Sequence, residues 1–234
     1  MRRLKAQVGG SGQENEQQFD VIALQEVNQS MEEAPMSPDE LGFYYSADPE
    51  IVIKRDNYAY VLNGLLSDAY HWTWAPAHVG FVKYDEGLAI LSRTPITDSV
   101  NEYVSSLRDY NNYHSSKIVG VQTVVDGEQA WFVSGHYNWW KDEESFRKLW
   151  DRTTKILNPL TPAPVFMMGD FNNAAEVRGE GYDYVLQSGW ADTFVNATVR
   201  DEGHTQVQTS RVVLNGKTGA VVSDHFGVAV EVEL

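Results

Sequence analysis

Four short apolar segments of the 234-residue chain are followed or preceded by side chains that can do chemistry. Active sites commonly gather polar groups where strands leave the core, so these side chains are predicted to meet at one edge of a sheet. Three groups follow their segments and the fourth precedes the last one, so an antiparallel final strand would bring all four together. The side chains are Glu26, His136, Asp170 with Asn172, and Asp224 with His225.

This set of residue types predicts chemistry on a phosphate ester. Carboxylates with an amide oxygen form a hard donor set that suits Mg²⁺ or Mn²⁺. Two imidazoles beside such an ion can donate to phosphoryl oxygens or move protons, and a carboxylate can orient water. Each residue also has a structural interpretation: Asp170 lies in a turn-forming sequence, Asp224 could cap a strand, and His136 could be a packed core histidine.

Apolar patterns predict the elements that would carry these groups. Strands are expected at residues 19–24, 87–91, 118–125, 130–134, 165–168, 212–214 and 227–234. Apolar residues three and four apart predict helices over residues 58–69 and 146–157, with a shorter one at 182–187. Strands interleaved with helices indicate one α/β layered domain over residues 1–234, in which residues 1–18 are linker-like.

Composition limits the function classes. With 33 acidic and 18 basic side chains, the net charge of −15 weighs against a general polynucleotide binder, although a metal-loaded acidic site can still act on phosphates. The chain has no cysteine, which excludes disulfides, thiolate zinc sites and cysteine nucleophiles. No apolar run is long enough to span a membrane, and no signal-like stretch opens the sequence. These features predict a cytoplasmic protein.

The polar segments also resemble a known group of proteins, the endonuclease/exonuclease/phosphatase superfamily. The resemblance extends over about residues 19–234 and implies a DNase I-like, four-layered α/β sandwich of two packed mixed sheets flanked by helices. It also implies direct in-line attack of water on phosphorus. The motifs that carry it are Leu24-Gln25-Glu26-Val27, Ser134-Gly135-His136, Gly169-Asp170-Phe171-Asn172 and Ser223-Asp224-His225.

The resemblance assigns roles to the acidic and amide side chains. Glu26 would be the main ligand of Mg²⁺ or Mn²⁺, and Asp224 would assist the ion or the water. Asp170 would activate or orient the attacking water. Asn172 would bind the phosphate or the transition state beside it.

The two histidines receive roles at the phosphate. His136 would contact the phosphate and be held in orientation by Glu86, while His225 would act as an acid–base or electrostatic partner. Two segments depart from the family pattern. Residues 1–18 stand where a strand with a metal-binding asparagine is expected, and residues 206–210 contain no acid to orient His225. Editing, missing segments or a divergent, inactive relative would each explain this, and loss of strands would leave the Glu26 strand at a sheet edge.

Within the superfamily, several segments are most similar to bacterial maltose 6'-phosphate phosphatases. These are residues 19–30, 78–96, 136–144 and 211–227. The similarity implies a metal-dependent phosphatase for a small phosphorylated sugar. The acidic charge weighs against a nucleic-acid partner, and no segment indicates a membrane partner. Trp139 and Trp140 could stack on that sugar or could pack beneath the following helix. The alternatives are a nuclease or sphingomyelinase-like phosphodiesterase of the same fold, or a catalytically impaired sugar-phosphate-binding remnant.

Overall fold

The computed structural model describes residues 19–196, 206–213, 225 and 227–233, which form an α/β architecture. The strands are β1 (Val21–Ser30), β2 (His71–Gly80), β3 (Tyr84–Ser92), β4 (Asp98–Tyr103), β5 (Lys117–Val125), β6 (Glu128–His136), β7 (Val165–Asp170), β8 (Gln206–Val213) and β9 (Gly227–Glu233). The α-helices are α1 (Tyr58–Leu65), α2 (Phe146–Leu157), α3 (Gly181–Gln187) and α4 (Thr193–Asn196). Within the described ranges, none of these helices is long and apolar enough to cross a membrane.

The strands form two main sheets and a hairpin-like pair. The first sheet has the order β1-β3-β2 with antiparallel neighbours, so β1 is an edge strand among the described residues. The second sheet has the order β4-β5-β6-β7, in which β6 and β7 are parallel and the other neighbours are antiparallel. Strands β8 and β9 pair antiparallel with each other. Residues 206–210 therefore form a strand, although they carry no acid.

The two sheets pack face to face around a shared apolar core. Ile90 of β3 meets Val121 of β5 and Phe132 of β6 in this core. Because successive strand residues point to opposite faces, Ala89 and Leu91 lie on the other face of the first sheet. Strands buried on both faces need a helical layer outside each sheet, and both layers are present.

Helices α1 and α2 supply those outer layers. Ala59 of α1 packs in a cluster with Trp72 and Trp74 of β2, on the outer face of the first sheet. Leu149 and Trp150 of α2 are fully buried in a cluster that contains residues of β5 and β6, on the outer face of the second sheet. The order helix, sheet, sheet, helix confirms the predicted four-layered sandwich.

Both ends of α1 are set by asparagine side chains. The fully buried Asn57 caps the helix, since its Oδ1 accepts from the backbone of Ala59 and Tyr60 at 3.1 and 3.3 Å. The helix ends at Leu65, four residues before the predicted end. Asn63 explains this, because its side chain both donates to and accepts from the backbone of Tyr70 at 2.9 Å and so holds the chain in a turn.

Candidate active site

Glu26 lies on an irregularity of β1. The pairing of β1 with β3 shifts between Leu24 and Val27, as in a β-bulge, and Glu26 has a φ of 53°. Bulges re-aim side chains, and positive φ at a residue with a side chain is a strained conformation that often marks functional positions. The Glu26 side chain is accordingly 57% exposed although its strand neighbours are half-buried or buried.

The residue before Glu26 ties the two sheets together at the site. Gln25 Nε2 donates to the Oγ of Ser134 at 2.9 Å, and that Oγ donates to the carbonyl of Leu24 at 3.1 Å. Ser134 is fully buried on β6, two residues before His136. These bonds fix the position of Glu26 on the first sheet relative to His136 on the second. Gln25 and Ser134 both belong to motifs of the sequence, but no local pattern reveals this contact between the sheets.

The parallel pairing of β6 with β7 places His136 directly opposite Asp170. His136 Nε2 lies 3.9 Å from Asp170 Oδ2 and 3.9 Å from Glu26 Oε1. The three ligand atoms all lie within 4.8 Å of one another. The backbone N–H of Tyr137 donates to the carbonyl of Asp170 at 2.9 Å and continues the strand pairing past this point.

Asn172 holds one oxygen of Asp170 in place. Its φ is 48°, its backbone N–H donates to Asp170 Oδ1 at 2.8 Å, and its side-chain Nδ2 donates to the carbonyl of Tyr137 at 2.7 Å. Asp170 Oδ2 is thereby directed to His136 and, at 3.9 Å, to the Nε2 of His225. The carboxylate therefore lies between two imidazoles. Asp224 lies outside the described residues.

The structure pairs Glu86 with His78 instead of with His136. The two residues are opposite each other in the β2–β3 register, and His78 Nε2 lies 3.7 Å from Glu86 Oε1. Burial raises the pKa of Glu86, and the nearby Glu26 raises it further. Burial lowers the pKa of His78. Both shifts favour the uncharged forms, so this contact is not a strong ion pair.

Asp85, the neighbour of Glu86, has a structural role on the other side of the strand. It accepts hydrogen bonds from Tyr110 at 2.7 Å, Lys54 at 2.9 Å and Gln29 at 3.1 Å. Burial opposes ionisation of Asp85, but these hydrogen bonds outweigh burial and lower the pKa of its carboxyl. Asp85 and Glu86 therefore have different partners, because successive residues of β3 point to opposite faces of the sheet.

The two tryptophans after β6 also separate. Trp139 is 64% exposed and lines a cleft beside His136. Trp140 packs against the rings of Phe146 and Tyr184, with ring centroids 6.4 and 6.1 Å apart. Of the two interpretations given above, stacking on a ligand is therefore open to Trp139, whereas Trp140 packs against the helices.

A cleft of about 180 Å³ opens at the surface beside this cluster. Its walls come from the β2–β3 hairpin, from the loop before β5 and from the loop after β6. This volume holds part of a small ligand, with the remainder left in solvent. The polar lining side chains include His78, Glu86, His114, His136, Asn138, Asp142 and Asn172.

Glu26, His136 and Asp170 form a donor set that fits a divalent cation. Two carboxylate oxygens and one imidazole nitrogen converge from three strands, and the chain has no thiol to compete as a ligand. Donors of this kind suit hard ions such as Mg²⁺ and Mn²⁺. Carboxylate, imidazole and cation together can bind a phosphoryl group and activate water.

Comparisons with known proteins agree with this geometry. Residues 2–225 match the model of the Endonuclease/Exonuclease/phosphatase family. A solved family protein from Leptotrichia buccalis C-1013-b is 29% identical, with a TM-score of 0.76 and coverage of 92% of this chain and 88% of that one.

Two more distant structures show the fold alone. A conserved protein from Enterococcus faecalis V583 is 17% identical, with a TM-score of 0.61 and coverage of 92% of this chain and 85% of that one. The human Nocturnin catalytic domain with bound sulfate is 16% identical, with a TM-score of 0.57 and coverage of 92% and 80%. No curated protein matches the chain in sequence.

Proposed function

Because the chain belongs to the endonuclease/exonuclease/phosphatase family, we propose that it is a metal-dependent phosphomonoesterase for a phosphorylated disaccharide such as maltose 6'-phosphate. The observation that carries the proposal is the convergence of Glu26, His136 and Asp170 beside a surface cleft. An exposed indole, that of Trp139, lines the same cleft and suits a sugar ring.

The carboxylate of Glu26 would hold the ion, either Mg²⁺ or Mn²⁺, and His136 Nε2 lies near enough to contact the phosphate. Asp224, which sequence similarity adds as a ligand, stays part of the proposal. An ion bound at this position would neutralise part of the negative charge of the phosphoryl group.

The protein's own groups account for positioning and proton transfer. Asp170, held through its Oδ1 by Asn172, uses Oδ2 to accept a hydrogen bond from the attacking water and takes up its proton as the water reacts. The water oxygen forms a bond to phosphorus as the bond from phosphorus to the sugar oxygen breaks. His225, whose Nε2 lies 3.9 Å from Asp170 Oδ2, donates a proton to the departing sugar oxygen, and His136 donates to a phosphoryl oxygen.

The direct test is release of inorganic phosphate from maltose 6'-phosphate with Mg²⁺, and again with EDTA. Asp170→Asn is expected to lower kcat about 10²- to 10⁴-fold because it removes the water-orienting carboxylate. Its melting temperature should stay close to that of the wild type. Asp98→Asn, an exposed acid at the start of β4, is the matched control and should retain full activity.

Three outcomes would contradict the proposal. Full activity of Asp170→Asn or insensitivity to EDTA would remove the assigned role of the cluster. Plasmid nicking or release of phosphocholine, without phosphate release from the sugar ester, would indicate a phosphodiesterase of the same fold. A folded protein that hydrolyses none of these substrates would be an impaired relative. The proposed setting is the cytoplasm, which the complete lack of cysteine supports.

A further inference from the structure

Part of the cleft is built by two loops that lie outside the catalytic cluster. Residues 104–116 join β4 to β5, and residues 137–145 join β6 to α2. Both loops line the cleft that contains His136. The hydrolytic step uses none of their side chains. The polar and aromatic groups of these loops are therefore free to bind another part of the substrate.

An imidazole–carboxylate pair joins the two loops. His114 Nδ1 lies 3.4 Å from Asp142 Oδ2, and the two side chains are only 18% and 15% exposed. The backbone N–H of His114 donates to Asn112 Oδ1 at 3.0 Å. This bond holds the backbone from which the imidazole ring projects into the cleft. With Nδ1 turned to Asp142, the ring nitrogen available to a ligand is Nε2.

An unpaired amide donor lies beside this pair. Asn138 lines the cleft and is 9% exposed, and its Oδ1 accepts from Ser116 Oγ at 2.9 Å. Its Nδ2 has no hydrogen-bond partner among the described residues. Buried polar groups are nearly always paired, so an unpaired donor in a cleft wall points to an acceptor on a ligand.

Two exposed aromatic rings complete this part of the cleft. Trp139 is 64% and Tyr113 69% exposed, and the Tyr113 ring lies over His114 with centroids 4.0 Å apart. Both rings line the same cleft and so place two flat apolar surfaces at one place. Flat apolar faces next to hydrogen-bonding groups suit a ring that carries hydroxyl groups on its edge and C–H groups on its face.

We propose that these five residues form the subsite for the leaving group, a neutral pyranose ring, and that His114 is its specificity-determining residue. His114 Nε2 and Asn138 Nδ2 bind ring hydroxyl groups, and Trp139 covers the face of the ring. Asp142 positions His114. The proposal rests on the proposed function for the identity of the attached phosphate, but binding of the ring itself can be measured without hydrolysis.

The binding test uses maltose and the ¹⁵N-labelled full-length protein. Maltose should shift the indole N–H signal of Trp139, identified with Trp139→Phe, with a dissociation constant on the order of 1 mM. His114→Ala should weaken this binding about tenfold, the value of one good hydrogen bond. No shift at Trp139, or a shift with adenosine and not with maltose, would overturn the subsite.

The kinetic test compares maltose 6'-phosphate with p-nitrophenyl phosphate, which lacks the sugar. In His114→Ala and in the isosteric Asp142→Asn, the ratio of kcat/KM for the sugar ester over that for the aryl ester should fall about tenfold, mainly through KM. His71→Ala, at a histidine whose ring contacts that of Phe43 outside the cleft, is the matched control and should leave the ratio unchanged.

The two tests separate this proposal from the proposed function. Maltose binding without phosphate release from the sugar ester would remove the proposed function and retain the subsite. Phosphate release with an unchanged ratio in both variants would retain the function and overturn the subsite.

Discussion

Replacing Gly169 with alanine should damage the site by pushing two strands apart. Gly169 has a φ of 135° and lies directly before Asp170 on β7, opposite Gly135 on β6. A Cβ at this position would overlap the carbonyl oxygen of Gly135 and lie 2.9 Å from its nitrogen, about 0.5 Å inside the 3.4 Å at which ordinary contact begins. Because Gly135 precedes His136, the strands can separate only by moving His136 away from Asp170.

The expected loss is larger in activity than in stability. A displacement of about 1 Å in a catalytic group can cost about 10²-fold in rate, so kcat/KM for phosphate release should fall by about that factor. The clash and the unfavourable φ together should lower the free energy of unfolding by about 2–3 kcal/mol. Gly127→Ala is the matched control, since Gly127 has a φ of 95° and its Cβ would meet nothing within 4 Å.

The assays are phosphate release, Mn²⁺ titration and urea unfolding of both variants. Gly127→Ala should lose about 1 kcal/mol through backbone strain alone and keep wild-type activity and Mn²⁺ affinity. If Gly169→Ala matches that control in kcat/KM and in Mn²⁺ affinity, the close approach of the two strands does not set the geometry of the site.

Four further substitutions test the surrounding structure. Asn57→Ala should lower the free energy of unfolding by about 2 kcal/mol through loss of the buried α1 cap, and a change below about 0.5 kcal/mol would contradict that role. Trp140→Ala should lower it by about 2 kcal/mol, whereas Trp139→Ala should leave it nearly unchanged, both by urea unfolding. Asp85 ionises more readily in the folded chain, so its contribution is present above its ordinary pKa of 3.8 and is lost as the pH falls through the lower folded value. Urea midpoints of the wild type and Asp85→Asn should therefore converge from pH about 5 to about 3, and a constant gap would refute this.

The part of the site that was predictable from sequence is the part set by strand ends. His136 and Asp170 each follow an apolar run, and two such runs in parallel register bring their ends together. The layered α/β class followed from the same runs and from the apolar face of α2. The strand at 206–213 was predicted only at 212–214, since its first residues are polar.

The rest depends on contacts between distant segments. Strand β2 was not predicted because Pro76 interrupts a run rich in tryptophan and histidine, and without β2 the pairing of His78 with Glu86 could not be seen. The polar, partly exposed β4 gives no alternating signal either. The contact of His114 with Asp142 links two loops whose shapes no local pattern determines.

The position of Glu26 has a consequence for how the molecule melts. Glu26 belongs to the first sheet, whereas His136 and Asp170 belong to the second, and the bonds through Ser134 already join the two halves. An ion held by all three residues would act as a clamp across the sandwich, because neither sheet could detach without releasing it. A higher ion concentration would then fill the site more completely and make unfolding of the two sheets more cooperative. The same concentration would set both the rate of turnover and the sharpness of the melting transition.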